Sequence, residues 1–302
     1  MDFSIGSDPE FFLQKEKYKS AIGILPSREN AIKKNECLYY YDNVLAEAQL
    51  KPANSKNEFI KNIQNCLKGL ISIINPYEIS LISALNFPEN ELKDKDARIA
   101  ACNPEWCAYS LTQNLAPQEI IMNTPFRTAG GHIHLGCNLL HEGIFILNTI
   151  KMLDLFLGIP SILLDKDKTA KDRRKIYGLA GSHRIPNHGV EYRTLGNFWL
   201  NSPELANFVY DVCNFVLNFV SEKGYEKFWS INEELLDADD PSLAYYCFGY
   251  DINLMRKAIN NCDKKTANKF MLIVKNYWPD YITKTFDFLE NKEFNLYKEW
   301  NL

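Results

Sequence analysis

The chain has 302 residues, 46% hydrophobic and 24% charged, with 34 Lys plus Arg against 38 Asp plus Glu and a formal net charge of −4. These proportions suit a globular fold with a substantial core and exclude disordered, collagen-like and coiled-coil readings. A net negative chain lacks the basic field of a general nucleic-acid or membrane-surface binder.

Ile5 to Leu13 reads as a turn followed by a short strand, and Leu38 to Leu50 as an extended, Tyr-rich stretch ending at Lys51-Pro52. Ser55-Lys-Asn-Glu58 is a capping box ahead of Phe59, Ile63, Leu67 and Leu70, so a helix starts there. Ile79 to Leu85 is a further strand. Residues 86–127 read as loop, with Pro88, Pro104, Pro117 and Pro125. Thr128 to Cys137 is a strand carrying Gly130-Gly131-His132-Ile133-His134. Ile144 to Leu164 is the most apolar stretch; its Lys151, Asp154 and Pro160 make it a buried core helix rather than a membrane span. The charged, Gly-containing segment 165–189 reads as a long mobile loop, and Val190 to Thr194 as a strand. Asn201-Ser-Pro-Glu204 opens a helix to about Ser221, with Ser202 as cap and Pro203 at the first helical position. The remainder is mainly helical. No Gly- or Pro-rich linker forces a boundary, so 1–302 is expected to be a single catalytic domain with 205–302 as its helical C-terminal part. The eight cysteines form no C-x-x-C pair, and the acidic N-terminus has no apolar signal region. Reduced thiols and a cytoplasmic location are therefore expected.

Side chains at i and i+2 of a strand face the same way. Three predicted strands carry such a polar pair: Asp8-x-Glu10, His132-x-His134 and Glu191-x-Arg193. On neighbouring strands these pairs would form one polar face. Carboxylates with an occasional imidazole suit magnesium or manganese, which bring nucleotide phosphates with them, and an Arg can hold the phosphate in transfer. Arg173, Arg174, Lys175 and Arg184 add positive charge nearby in sequence. The set points to metal-assisted phosphoryl transfer from a nucleotide. Each part has a plainer reading: a surface turn at Pro9, hydrogen-bonded strand histidines, a surface ion pair at Glu191 and Arg193, and a solvated face at 173–175. No P-loop, G-x-G-x-x-G or H-E-x-x-H pattern occurs. His188-x-x-Glu191 matches a short zinc pattern, so a metal-dependent hydrolase using His132/His134 or His188/Glu191 is the rival.

Gly6-Ser-Asp-Pro-Glu-Phe-Phe-Leu13, Gly131-His-Ile-His-Leu-Gly136 and Gly189-Val-Glu-Tyr-Arg-Thr194 resemble, in the same order, the first metal-binding strand, the H-x-H strand and the late E-x-R strand of glutamine synthetase. Three further elements are Asp42-Asn-Val-Leu-Ala-Glu47 ahead of Pro52, Cys102-Asn-Pro-Glu105, and Tyr177-Gly-Leu-Ala-Gly-Ser-His-Arg184. With them the chain more closely resembles the carboxylate–amine ligases (amidoligases) of tailed phages, over about residues 5 to 205. The resemblance implies an α+β fold, the curved open antiparallel sheet of glutamine synthetase and glutamate–cysteine ligase with helices on its outer side. It implies ATP-dependent amide formation through an acyl phosphate, with ATP and Mg2+ or Mn2+ as cofactors. The partners would be small-molecule, peptide or protein carboxylates and amines, and the place of action the host-cell cytoplasm. Asp8, Glu10, Glu47, His132 and Glu191 would be metal ligands. His134 would lie beside the nucleotide, with Arg173, Arg174 and Arg184 as further nucleotide contacts. Arg184 and Arg193 would hold the transferred phosphate and, with Glu47, form the catalytic set. Glu105 would take a substrate or metal role. Because water hydrolyses an acyl phosphate, segment 165–189 is the expected lid. An inactive phage protein keeping the fold is a further alternative, against which the complete ligand set stands.

Overall fold

The computed structural model describes residues 2–99, 105–114, 117–231, 245–247 and 250–302. The N-terminal strands are β1 (Ser4–Ser7), β2 (Glu10–Gln14), β3 (Tyr18–Lys19), β4 (Ile32–Lys34), β5 (Cys37–Asp42) and β6 (Leu45–Gln49), followed by helix α1 (Lys56–Ile74). Next come β7 (Glu78–Ser80), β8 (Ala84–Asn86), β9 (Glu105–Cys107), β10 (Gln113–Asn114), α2 (Gln118–Asn123), β11 (Phe126–Thr128) and β12 (Ile133–Gly136). Helices α3 (Gly143–Leu153) and α4 (Ile159–Leu164) are joined by a π turn, and α5 (Ala170–Arg173), β13 (Ser182–Arg184) and β14 (Val190–Tyr192) follow. The C-terminal part holds α6 (Pro203–Ser221), β15 (Trp229–Ile231), β16 (Tyr245–Cys247), α7 (Ile252–Asn261), α8 (Lys264–Tyr277), α9 (Asp280–Glu290) and α10 (Leu296–Glu299).

One antiparallel sheet has the order β1-β12-β14-β13-β9-β10 and another β3-β2-β6-β5-β4, with β7 also pairing β2. They join at the bend Asp8-Pro9. There Leu50 N donates to the Ser7 carbonyl at 2.9 Å, Ala48 N to the Pro9 carbonyl at 3.1 Å, and Glu10 N to the Gly130 carbonyl at 3.0 Å. Pro9 has no N–H to give a ladder, and the bend asks only for its carbonyl. The result is a mixed α+β fold in which a curled antiparallel sheet is packed with helices.

Local chemistry explains the main helices. Ser55 Oγ caps α1 by accepting from Glu58 N at 3.3 Å, while Glu58 Oε2 reaches back to Asn54 N at 2.9 Å, one residue earlier than the usual capping-box donor. The buried face Phe59, Ile63, Cys66, Leu67, Leu70 and Ile74 follows the helical period. Against it, Tyr39 donates its hydroxyl to the Cys66 carbonyl at 3.0 Å. A Cβ on Gly69 would lie 2.2 Å from that hydroxyl, so glycine lets the helix approach β5. The stretch Gly143–Leu164 is apolar and long enough to cross a membrane, with mean hydropathy 1.5, yet 94% of its most apolar window is buried inside the protein. Its π turn stands just ahead of Pro160, whose missing N–H and ring disrupt regular i−4 bonding. Ser202 Oγ caps α6 by accepting from Leu205 N at 3.2 Å, with Pro203 next. At the other end of the chain, the Trp300 indole donates to the Leu200 carbonyl at 2.7 Å, and Gln64 donates to the Trp300 carbonyl at 3.0 Å.

Several expectations change. Asp8 and Glu10 are not an i, i+2 strand pair: β1 ends at Ser7, β2 begins at Glu10, and Asp8 sits in the bend. His132 immediately precedes β12, and Arg193 immediately follows β14. Ile79 to Leu85 divides into β7 and β8, in different sheets, because Ser83 N is drawn away to Asp167 Oδ2 at 2.6 Å. Residues 86–127 include β9, β10, α2 and β11 rather than loop alone. Segment 165–189 is not a solvated lid: it contains α5 and β13, and Arg173 and Arg174 are only 2% and 7% exposed. The described residues of 205–302 are mainly helical, apart from β15 and β16, which pair with each other. Cys37, Cys66, Cys107, Cys137, Cys213 and Cys262 are free thiols, whereas Cys102, with the rest of 102–104, and the Cys247 side chain lie outside the described residues.

Behind β14, fully buried Asp154 accepts from Tyr192 Oη at 2.7 Å, Thr194 Oγ1 at 3.3 Å and Tyr109 Oη at 2.9 Å. Burial pushes its carboxyl up to about 6 against the pull of those hydroxyls. Asp154→Ala is predicted to cost roughly 2–5 kcal/mol, because two buried tyrosine hydroxyls lose their acceptor. Denaturant unfolding checks this; a change below about 0.5 kcal/mol, typical of an inert surface site, would refute it.

Candidate active site

Two cross-strand rows carry the polar groups. Gly6, His134, Glu191 and Arg184 stand in register across β1, β12, β14 and β13. Glu10, Glu47 and Tyr40 do so across β2, β6 and β5. Directly opposed side chains are near neighbours on one face, so each row concentrates charge. The bend brings the rows together: Asp8 Oδ1 lies 3.0 Å from His134 Nε2 and 3.4 Å from His132 Nδ1. The glycines before His132 are required by crowding. A Cβ on Gly131 would meet Asn197 Oδ1, the Gly196 carbonyl and Trp199 Nε1 at 2.8 Å, and one on Gly130 would meet His132 Nε2 at 2.6 Å.

Arg193, 2% exposed, is the hub. Its Nε donates to Glu105 Oε2 at 2.9 Å, its Nη1 donates to Glu191 Oε1, and Nη1 lies 3.3 Å from His132 Nδ1. Glu105 also accepts from Asn114 Nδ2 at 3.2 Å. Arg173 donates to the carbonyls of Arg193 at 3.0 Å and Thr194 at 3.2 Å, fixing the strand end. Arg174 donates to the Gly178 carbonyl. Half-buried Arg184 places Nη1 3.8 Å from Glu191 Oε1. Tyr40 donates its hydroxyl to Glu47 Oε1 at 2.6 Å.

The carboxylates occupy two electrostatic environments. Burial raises Asp8, but His134 and His132 outweigh it and hold the group well below the usual carboxylate range. Arg193 likewise overcomes burial to hold Glu191 and Glu105 down. Glu10, by contrast, is pushed up to about 8 by burial and by Asp42. Burial, with Asp8, Asp42 and Glu10, raises Glu47 well above its ordinary value. Burial and the Arg193 charge lower His132 to about 4, which keeps its imidazole neutral.

Ligand atoms of Asp8, His134 and Glu191 lie within 4.8 Å of one another, as do those of Glu10, Asp42 and Glu47. The donors are five carboxylates and one imidazole, an oxygen-rich set that fits magnesium or manganese. A divalent cation would also relieve the repulsion that raises Glu10 and Glu47. Of the expected ligands, Asp8, Glu10, Glu47 and Glu191 fall in these clusters, whereas His132 lies against Arg193. His134, read as a nucleotide contact, and Asp42, which had no assigned role, supply ligand atoms instead. Tyr40 and Asp42 share a face of β5 with Glu47 opposite Tyr40, an alternation that could have drawn attention to Asp42. A small cleft opens beside the clusters, lined by Glu10, Asp42, His132, Arg173, Arg193 and, unforeseen, Arg127. Arg174 does not line it. His188 is exposed, with its ring stacked on His134 at a centroid distance of 5.3 Å.

The sequence profile of the family described as phage phiEco32-like COOH.NH2 ligase-type 2 matches residues 120–268. This span contains His132, His134, Arg173, Arg184, Glu191 and Arg193, but not Asp8, Glu10, Asp42 or Glu47. No curated protein matches the chain. A bifunctional glutathione synthetase from Pasteurella multocida is similar in structure, with a TM-score of 0.41 and 9% identity, over 96% of this chain and 51% of that one. The chain thus spans about half the length of that protein.

The clusters predict a response to cations. Mg2+ or Mn2+ should raise the melting temperature, by an amount equivalent to about 2.7 kcal/mol at a hundredfold excess over Kd. Glu47→Gln should blunt that response while leaving the cation-free protein as stable as wild type or more so, since it removes one of three crowded carboxylates. Calorimetric melting with chelator and with metal tests both, and an unchanged wild-type melting curve would sink the assignment.

Proposed function

We propose that this chain, whose residues 120–268 match the phage phiEco32-like COOH.NH2 ligase-type 2 family, joins a carboxylate to an amine using ATP through an acyl phosphate. The observation that carries the reading is the pair of oxygen-rich clusters on either side of Arg193, one bonded to it through Glu191 and the other sharing its cleft through Glu10 and Asp42. A carboxylate does not condense with an amine at neutral pH, because hydroxide is a poor leaving group. In the proposed reaction a carboxylate oxygen attacks the γ-phosphorus and the bond to ADP breaks. The amine nitrogen then attacks the acyl carbon, the carbon–oxygen bond to phosphate breaks, and the amine loses a proton to solvent. Divalent cations held by Asp8, His134 and Glu191 and by Glu10, Asp42 and Glu47 would screen the repulsion between the triphosphate and the substrate carboxylate.

The protein's own groups have definable parts in this reading. Arg193 presents positive charge to the transferring phosphoryl group while Glu191 and Glu105 fix its plane. Arg184, in register with Glu191 and half-buried, is the second phosphate contact. Arg173 acts by positioning, since it holds the carbonyls that set the end of β14. Arg174 serves the fold of segment 173–178. The sheet is taken as glutamine synthetase-like, residues 1–302 as one catalytic unit, and the host-cell cytoplasm as its place of action.

Binding of ATP with Mg2+, followed by calorimetry, tests the nucleotide requirement. Amide hydrolysis without nucleotide would instead favour a zinc hydrolase using His188 and Glu191. Arg193→Ala is predicted to lower ADP release by on the order of 10²–10³ while leaving the KM for ATP nearly unchanged. Lys there should rescue only partly, because an ammonium lacks the planar fork. Near wild-type turnover in a folded Arg193→Ala protein would make Arg193 a structural partner of Glu191 alone.

A further inference from the structure

Arg127, on β11, has no part in the proposed transfer, yet it lines the same cleft as Arg193 and Asp42. It is 3% exposed. Among the described residues its guanidinium donates only to neutral oxygens: Nε to Asn43 Oδ1 at 2.9 Å, Nη1 to the Thr124 and Phe126 carbonyls at 2.8 Å each, and Nη2 to the Ala97 carbonyl at 2.7 Å. Those four bonds leave one of its five N–H groups over, on Nη2. Glu89 attracts it at longer range, but that carboxylate is hydrogen-bonded to Arg98 at 2.9 Å. Burial, reinforced by the like charge of Arg98, lowers the guanidinium to about 10. A buried cation bonded to neutral oxygens gains little compensation for its charge.

Its place in the fold is equally informative. Asn43, in the tight β5–β6 turn with φ +56°, accepts from Arg127 and donates to the Ile99 carbonyl at 2.9 Å. Arg127 is thereby docked one residue from Asp42, a member of a cation cluster. The cleft wall adjoining it is apolar, formed by Leu45, Ile99 and Ile121.

We infer that Arg127 is the anchor for a second anionic group on the carboxylate substrate, a carboxylate or a phosphate, with an apolar stem running along Leu45, Ile99 and Ile121 to the carboxylate that reacts. This rests on the ligase reading and adds the substrate class. Arginine suits the role because its remaining Nη2 hydrogen can donate to one oxygen of either anion while the guanidinium supplies the charge.

The test replaces the unknown amine with hydroxylamine, whose nitrogen displaces phosphate from an acyl phosphate and leaves a hydroxamate. With ATP and Mg2+, glutarate or 4-phosphonobutyrate should give a kcat/KM at least about tenfold above that of butyrate, and their order tells carboxylate from phosphate. Arg127→Gln should lower kcat/KM for the dianionic acids by about 10–100-fold, mainly through KM, with butyrate and the KM for ATP unaffected. Equal use of all three acids by the wild type overturns the inference, and so does a variant in which only the KM for ATP rises, which would make Arg127 a nucleotide contact. If Arg127→Gln does not fold, the wild-type comparison of acids decides alone. Calorimetric binding of glutarate that is lost in Arg127→Gln, with no ATP consumed, would keep the anion site and reject the ligase reading.

Discussion

Negative charge crowded into a largely buried site is the constraint around which the rest of the structure is arranged. Asp8, Glu10, Asp42, Glu47, Glu105 and Glu191 come from five separate chain segments, and none would gather there unaided. Arg193 neutralises two of them directly. His134 and His132 hold Asp8 ionised. For the remaining three, burial and then mutual repulsion raise Glu10 and Glu47. The carboxylates facing Arg193 are held down while Glu10 and Glu47 on the hairpin side are raised, so the hairpin side is where a further cation has most to offer.

Rigid backing makes such crowding tolerable. Tyr192 and Thr194 alternate with Glu191 and Arg193 along one short segment, and their hydroxyls reach Asp154 in the core helix. Arg173 clamps the carbonyls of Arg193 and Thr194 in the same segment. Side chains on the front of β14 are thus fixed by a polar network behind it, as preorganised sites require. The apolar stretch that could be taken for a membrane span has a different reason for its polar residue, since Asp154 faces the back of the cleft strand.

Much of the site was legible in sequence, though partly for a reason that did not hold. The i, i+2 spacing of His132/His134 and Glu191/Arg193 does bring those residues to one surface, and strand alternation explains the His134–Glu191 register. Asp8 and Glu10 converge through a bend at Pro9 instead, a geometry that alternation does not describe. Asp42 could be read only once Leu38 to Leu50 was split into a hairpin, and its Asn43 turn sits inside what looked like one extended stretch. Charge density misled at 165–189, because Arg173 and Arg174 turn inward to bind carbonyls. Arg127 gave no signal at all, since its acceptors are neutral oxygens: the Asn43 side chain and the carbonyls of Ala97, Thr124 and Phe126. The family match has the same limit: it spans the histidines and the E-x-R strand, while the carboxylates of the N-terminal hairpin and bend lie before it.

The two cross-strand rows have a consequence for how such a chain can vary. Side chains alternate across a strand, so sliding β12 by one residue against β14 would set Ile133 or Leu135 opposite Glu191 and turn His134 to the other face. A deletion inside β6 would exchange Glu47 for Ala46 or Ala48 opposite Glu10 in the same way. Divergence by insertion and deletion is therefore confined to the connections, where length can change without altering parity. Within the short strands only substitution is open, and two chains that share this chemistry should keep an even or odd count between partner residues even where nothing else in their alignment survives.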